Sequence, residues 1–261
     1  MRIINMAHGS LYAFGAFVGA WLLGLAAGSS GMQPPYLIVL LPVAAVAVGL
    51  VGAVIEPLLR PLYARAEEYQ LLMTFGLLLI FEDGMRFLWG PTPLTASTFW
   101  SAFGSIDILG STYPVYNIVV IGLGLLSAVL LWTLVYRTKF GVILRATSQN
   151  RRMAEALGIN VSRLYLQAFA LGCLLAGLGG AIVVPIQGAV LGMGIDALVL
   201  SFVVVVIGGM GSLEGALIGA IIVGVVRTIA VQYFAELELA VLYLIGATVL
   251  ILRPTGLLGK A

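Results

Sequence analysis

The chain has 261 residues, of which 61% are hydrophobic and 9% charged, with a net charge of +2 and a mean hydropathy of +1.13. A soluble domain carries roughly 25% charged residues, so this composition excludes a solvated globule and points to an integral membrane protein. Runs of about 20 apolar residues recur without the alternating pattern of a membrane barrel, so the spans are helices.

In chain order, the apolar runs predict spans over Gly9–Ala27, Tyr36–Ile55, Tyr69–Leu88, Pro114–Tyr136, Leu164–Val184, Ala197–Ile207, Gly215–Ile229 and Leu239–Leu252. The expected fold is therefore all-α: a polytopic transmembrane bundle of about eight segments in one domain, residues 1–261. The 33 glycines are nearly twice the usual share of about 7% and imply close helix packing. Ser29–Pro35 and the charged Glu56–Glu68 break the first spans, and Gly90–Tyr113 is a longer polar and aromatic loop. Within Tyr69–Leu88, Glu82 and Asp83 lie four and three residues before Arg86. That spacing predicts a locally compensated cluster on one helix face, with a coupling-ion site as the alternative. Cys173 falls inside a span and makes no intrachain disulfide, being the single cysteine.

Alternating spans place Arg60, Arg65, Arg137, Lys139, Arg145, Arg151, Arg152, Arg163, Arg253 and Lys260 on one side, with Arg2, and only Arg86 and Arg227 toward the other. The larger group is cytoplasmic by the positive-inside rule. The alternation requires a turn at "GGMGSLEG" between two short segments. Eleven residues, Ala197–Ile207, reach only about 17 Å of a ~30 Å core, so the turn is expected partly within the membrane, as a discontinuous helix pair.

The main hydrophilic stretch is the cytoplasmic loop at about residues 137–163. Within it Val142, Ala146, Gln149, Met153 and Leu157 follow helical spacing, with Arg145, Ser148, Arg152 and Glu155 on the other side. This predicts a short amphipathic helix with Gly158 as C-terminal cap and Asn160 or Ser162 capping the next helix. Its apolar face is small, which suits a protein groove; a helix lying on anionic lipid is the alternative.

"RATSQNRRMAEALGINVSRLYLQAFALGCLLAGLGGAI" resembles the cytoplasmic loop and following helix of branched-chain amino acid ABC transporter permeases of the LivH type. "SFVVVVIGGMGSLEGALIGAIIVG" and the opening "RIINMAHGSLYAFGAF" extend the resemblance over nearly the whole chain. "AEALGI" is similar to the Glu-Ala-Ala loop of bacterial ABC importers, whose helix enters a cleft in the ATPase. The resemblance implies ATPase coupling through Arg145, Asn150, Ala154, Glu155, Leu157 and Gly158. It implies pathway or packing roles for Asn5, His8, Gly9, Gly208, Gly209, Gly211, Ser212 and Gly215. Gly211, Gly215 and Gly219 are spaced as two G-x-x-x-G steps on one helix face, which fits close packing, a translocation pathway, or both. Glu214 departs from the family, which commonly has Pro or an apolar residue there, and is not expected to be a substrate ligand.

In the family the opening motif follows an apolar helix. The expectation is that such a helix is missing before Met1 or lies outside the assigned start. His8, the single histidine, reads as a hydrogen-bonded residue at a helix start, with proton relay as the alternative.

No phosphate-binding G-x-x-x-x-G-K-[ST], H-E-x-x-H or G-x-S-x-G motif occurs. The resemblance therefore implies a non-enzymatic permease subunit of an importer in a bacterial or archaeal inner membrane. It would bind no cofactor itself, with ATP and magnesium held by two cytoplasmic ATPase subunits. A second permease, usually a paralogue, and an extracytoplasmic solute-binding protein complete the assembly, and no nucleic acid is involved. Branched-chain or other hydrophobic amino acids are the expected cargo. Urea and short amides are alternatives within the class, and an ion-coupled transporter using Glu82, Asp83 or Glu214 is the alternative outside it.

Overall fold

The computed structural model describes residues 5–29, 34–108, 110–233, 235–253 and 255–259. The expected cytoplasmic placements of Arg2 and Lys260 fall outside them. Among the described residues eleven helices follow one another: α1 (Ala7–Ser29), α2 (Leu40–Leu59), α3 (Glu67–Trp89), α4 (Ser97–Ser101), α5 (Val115–Arg137), α6 (Lys139–Gln149), α7 (Arg151–Ala156), α8 (Val161–Gln187), α9 (Met193–Gly208), α10 (Leu213–Tyr233) and α11 (Glu238–Leu252). Short 3₁₀ turns at Pro34–Val39, Arg60–Ala64 and Ala235–Leu237 join some of them.

Five described segments are long and apolar enough to cross a membrane: Ala7–Gly28, Tyr36–Leu62, Val115–Arg137, Val161–Gln187 and Leu213–Tyr233. Two shorter apolar helices, Met193–Gly208 and Ala240–Leu252, accompany them. The expected span Tyr69–Leu88 is helical within α3, but Glu82, Asp83 and Arg86 interrupt its apolar run and it is not among the five. Asp83 and Arg86 approach to 3.9 Å with both side chains mostly exposed, so the pair is weak.

The loop Gly90–Tyr113 holds more structure than its composition suggested. It contains α4 and an antiparallel hairpin, β1 (Ser105–Ile108) with β2 (Ser111–Pro114), in the register Ser105↔Pro114 to Ile108↔Ser111. Gly110 takes φ +82° at the hairpin tip. Phe99, Phe103 and Tyr116 stack at 5.3–5.5 Å between ring centroids and fasten this loop to α5.

The chain groups into two compact units, residues 1–195 and 196–261. In the first, α1, α2 and α8 pack so closely that no Cβ fits between several backbones. A Cβ on Gly15 would overlap Gly177, one on Gly180 would overlap the Tyr12 carbonyl, and one on Gly52 would overlap Cys173. Around this seam Leu11, Phe17, Leu41, Ala44, Val48 and Ala181 are almost wholly buried. Pro185 removes an N–H from the ladder of α8. One turn before it, the buried Tyr116 hydroxyl donates to the Ile182 carbonyl at 2.8 Å.

By contrast α5 buries only Tyr116 among its described residues, leaving Ile121, Leu125, Val129 and Leu130 more than half exposed. Such a surface needs lipid or a partner to cover it. In the second unit, α9, α10 and α11 enclose Val203, Ile207, Val223 and Leu242. Arg227 and Glu238 form an ion pair linking α10 to α11.

Candidate functional site

The hydrophilic loop at residues 137–163 is two helices, α6 and α7, where the spacing predicted one. The break is at Asn150, whose backbone is extended (φ −145°, ψ 93°). Its Oδ1 accepts from the Met153 N–H at 3.0 Å, so it caps α7. A side chain able to satisfy an orphan N–H competes with continuing the helix, and here it wins. Gly158 is the C-terminal cap expected, with φ +81°. Its N–H donates to Glu155 O at 3.0 Å, and Ile159 N–H donates to Ala154 O at 3.1 Å. Asn160 then caps α8 by accepting from Arg163 N–H at 3.0 Å.

Both ends of this loop are tied to long helices. At the α5–α6 corner Thr138 Oγ1 accepts from Gly141 N–H and donates to the Leu134 carbonyl. A Cβ on Gly141 would overlap the carbonyl of Val135, so only glycine lets the corner close this tightly. The Arg145 guanidinium lies 4.9 Å from the Tyr136 ring centroid, and Arg151 lies 5.8 Å from that of Tyr165 on α8. Arg151 Nε also donates to Glu155 Oε1 at 2.9 Å. That hydrogen bond raises the Arg151 pKa above its ordinary value.

Val142, Ala146, Met153 and Leu157 present apolar groups to the outside, with Leu157 74% exposed. Ala154 is the exception among the expected coupling residues. It is only 4% exposed and turned inward, because the break at Asn150 resets the phase of α7.

The expected glycine element lies in the second unit. α9 ends at Gly208, Gly209 turns with φ +103°, and Ser212 caps α10 by accepting from Gly215 N–H at 3.0 Å. Gly208 and Gly215 face each other so closely that a Cβ on either would overlap the other's carbonyl oxygen. A Cβ on Gly219 would lie 2.6 Å from Val204 O. Gly211 does not join this seam: it sits in the turn at φ +86° with open space where its Cβ would be. The three-glycine face read from spacing is thus Gly215 and Gly219 meeting Gly208, because the helix begins only at Leu213. Glu214 is exposed in the first turn of α10, where the helix dipole favours a carboxylate.

The opening residues gather at the start of α1. Asn5 Oδ1 accepts from Ala7 N–H at 3.1 Å, and Asn5 O accepts from His8 N–H at 3.2 Å. His8 is partly buried beside α8, and its Cε1 lies 3.6 Å from where a Cβ on Gly172 would be. Gly9 is buried, and a Cβ on Gly194 would come within 2.6 Å of its carbonyl oxygen.

A family model described as the permease component of branched-chain amino acid transport systems matches residues 1–252. The chain belongs to that permease family. A probable branched-chain amino acid transport permease LivH of Methanocaldococcus jannaschii is 30% identical over 90% of this permease and 74% of its own length. The high-affinity LivH of Salmonella typhimurium is 24% identical and BraD of Pseudomonas aeruginosa 26% identical, each over 99% of the permease and 86% of the relative. No solved structure matches the permease. Membership and the long apolar helices make it a multi-pass inner-membrane protein.

Two features of the permease escaped the sequence reading. The Thr138–Gly141 corner left a signal in "RTKFG", a helix cap followed by a glycine just past a span. The segment Thr255–Gly259 also packs against the α9–α10 turn: Leu257 N–H donates to Ile207 O at 2.9 Å and Leu258 N–H to Gly208 O at 3.0 Å. Its signal was the pair of glycines in "TGLLG" beyond the last span.

Proposed function

We propose that this permease carries branched-chain amino acids inward as one membrane subunit of an ABC importer, powered by two separate ATPase subunits that bind ATP and magnesium. A second permease chain and an extracytoplasmic solute-binding protein complete the assembly. The observation that carries this reading is the α6–α7 segment. It turns Val142, Met153 and Leu157 outward while Gly141, Thr138 and Asn160 tie it to α5 and α8. A segment built this way presents apolar knobs to a groove and passes a push to the helices behind it. ATP-driven closure of the ATPases would shift α6 and α7 and with them the side to which the pathway opens. Arg145, Asn150, Glu155, Leu157 and Gly158 shape that segment, with Ala154 supporting it from beneath. Asn5, His8 and Gly9, and separately Gly208, Gly209, Gly211, Ser212 and Gly215, would shape the membrane part. Aliphatic helices suit an aliphatic cargo, and the names of the relatives point the same way.

The test is crosslinking combined with uptake. Cysteines at Met153 or Leu157 should crosslink to a cysteine-bearing ATPase subunit, whereas a cysteine at the inward Ala154 should not. Leucine uptake into proteoliposomes should require the ATPase and ATP. Uptake driven by an ion gradient without the ATPase would sink the proposal.

A further inference from the structure

The last turn of α9 is held by main chain from two directions. On one side lies α10, with Gly215 against Gly208. On the other lies the segment that follows α11. Leu257 and Leu258 donate their N–H groups to Ile207 O and Gly208 O at 2.9 and 3.0 Å. Gly256, at φ +77°, folds the segment back, its N–H donating to Arg253 O at 2.9 Å. The approach is backbone to backbone. A Cβ on Gly209 would lie 2.7 Å from Gly259 Cα and 2.9 Å from Thr255 O, and one on Gly256 would lie 2.8 Å from Val206 O. The Leu257 side chain packs on the cluster of Val203, Ile207, Val223 and Leu242.

Helix length explains why such a fastening is needed. The 16 residues of α9 reach about 24 Å, short of a ~30 Å hydrocarbon core. Past Val205 the carbonyls of its last turn have no helical donor, and Ile207 and Gly208 are buried, where an unsatisfied carbonyl is costly. The residue after the helix closes α8 and α9 alike, Gly188 N–H donating to Val184 O and Gly209 N–H to Val205 O. At α9 the positive φ of Gly209 turns the chain away after its N–H has donated to Val205 O. Two of the acceptors that remain, Ile207 O and Gly208 O, are filled from the distant segment.

We propose that Thr255–Gly259 is a backbone staple that positions the α9–α10 turn for transport, with the Leu257 N–H as its principal donor. It acts through Gly208 and Gly209 and touches neither cargo nor nucleotide. The inference uses the importer reading only for its transport readout, so the two can fail separately.

The experiment uses the complete importer in proteoliposomes with its ATPases and binding protein. Leu257→Met keeps the N–H and the apolar side chain and should transport like the parent. Leu257→Pro deletes the donor and should lower uptake per permease by about tenfold or more while ATP hydrolysis persists, so that hydrolysis and uptake come apart. A staple needed only for folding would lower both together. Should the proline variant fail to insert, replacing Leu257 with its α-hydroxy acid removes the same donor without fixing φ, and the same loss of coupling is expected. Normal coupling in the ester variant overturns the proposal, as does a parallel fall in uptake and hydrolysis. Independently of cargo, the amides of Leu257 and Leu258 should exchange about a hundredfold more slowly than in a free peptide. Exchange at the free-peptide rate in the intact permease overturns the staple. A parent importer that hydrolyses ATP but moves no aliphatic amino acid overturns the cargo reading instead, and amide exchange then decides the staple.

Discussion

The seam between α1, α2 and α8 and the α6–α7 loop use small residues in opposite ways. In the seam, glycine is there for what surrounds it: at Gly15 and Gly180 a Cβ would meet another helix's backbone. In the loop, Gly158 has open space around it and is there for its φ of +81°. The first kind of glycine can be recognised only once the partner helix is in place. The second is a local property, set by a cap and a turn. A close-packed helix seam and an outward-facing loop thus respond to the same substitution through different physics.

The sharpest way to break this contrast is in the seam. Gly180→Leu drives a side chain into the Tyr12 carbonyl, where no flexible neighbour can give way, and overpacking of this kind costs on the order of 1–3 kcal/mol or more. We expect little folded permease in the membrane fraction, measured by yield and by monodispersity in detergent. Gly215→Leu should behave similarly, because its neighbour is the Gly208 backbone. Stable, active Leu variants at both positions would show that the helices are not in backbone contact.

A smaller effect separates Gly211 from Gly215. Gly211→Ala meets no neighbour, so its cost is the left-handed backbone alone, about 1–2 kcal/mol. Thermal unfolding should show Gly211→Ala destabilised, and Gly211→Asn, which tolerates that conformation better, should recover part of the loss. Equal damage from Ala and Asn would point to an unseen packing partner.

In the loop, Gly158→Ala carries the same backbone penalty, but the folded core should not feel it. Insertion should be normal while ATPase association weakens several-fold in a pull-down. Asn150→Ala removes the cap of α7, worth about 1 kcal/mol, and should weaken association less, with Asn150→Asp retaining it. Wild-type association for both Gly158→Ala and Asn150→Ala would mean that the shape of α7 does not matter for docking. The smallest effect is expected on α5. Gly122→Ala enters open space in a helix interior and should be neutral or stabilising by about 0.5–1 kcal/mol in a thermal melt.

Much of this architecture was legible in advance. Apolar runs located the helices to within a few residues because the bilayer imposes both length and hydrophobicity on each span. Gly158 was legible as a cap, and Asn160 as one of two candidates with Ser162, because capping is a contact between residues three or four apart. The break at Asn150 was not, since helical spacing continues through it and the choice between cap and helix is a close local competition. The misreading of Gly211 has a similar origin. G-x-x-x-G spacing describes a helix, and only the cap at Ser212 shows that the helix starts after Gly211.

By itself, then, the sequence determined that this is a helical membrane protein, where its long helices fall, and that its permease motifs run in the family's order. Those properties depend on composition, period and short-range hydrogen bonding, which need no partner helix. Only the tertiary structure decided which glycines are buried against backbone, that Ala154 turns inward, and that Leu257 and Leu258 close the end of α9. These depend on groups far apart in the chain meeting within hydrogen-bond or van der Waals distance, and no local pattern specifies which carbonyl a distant N–H will find.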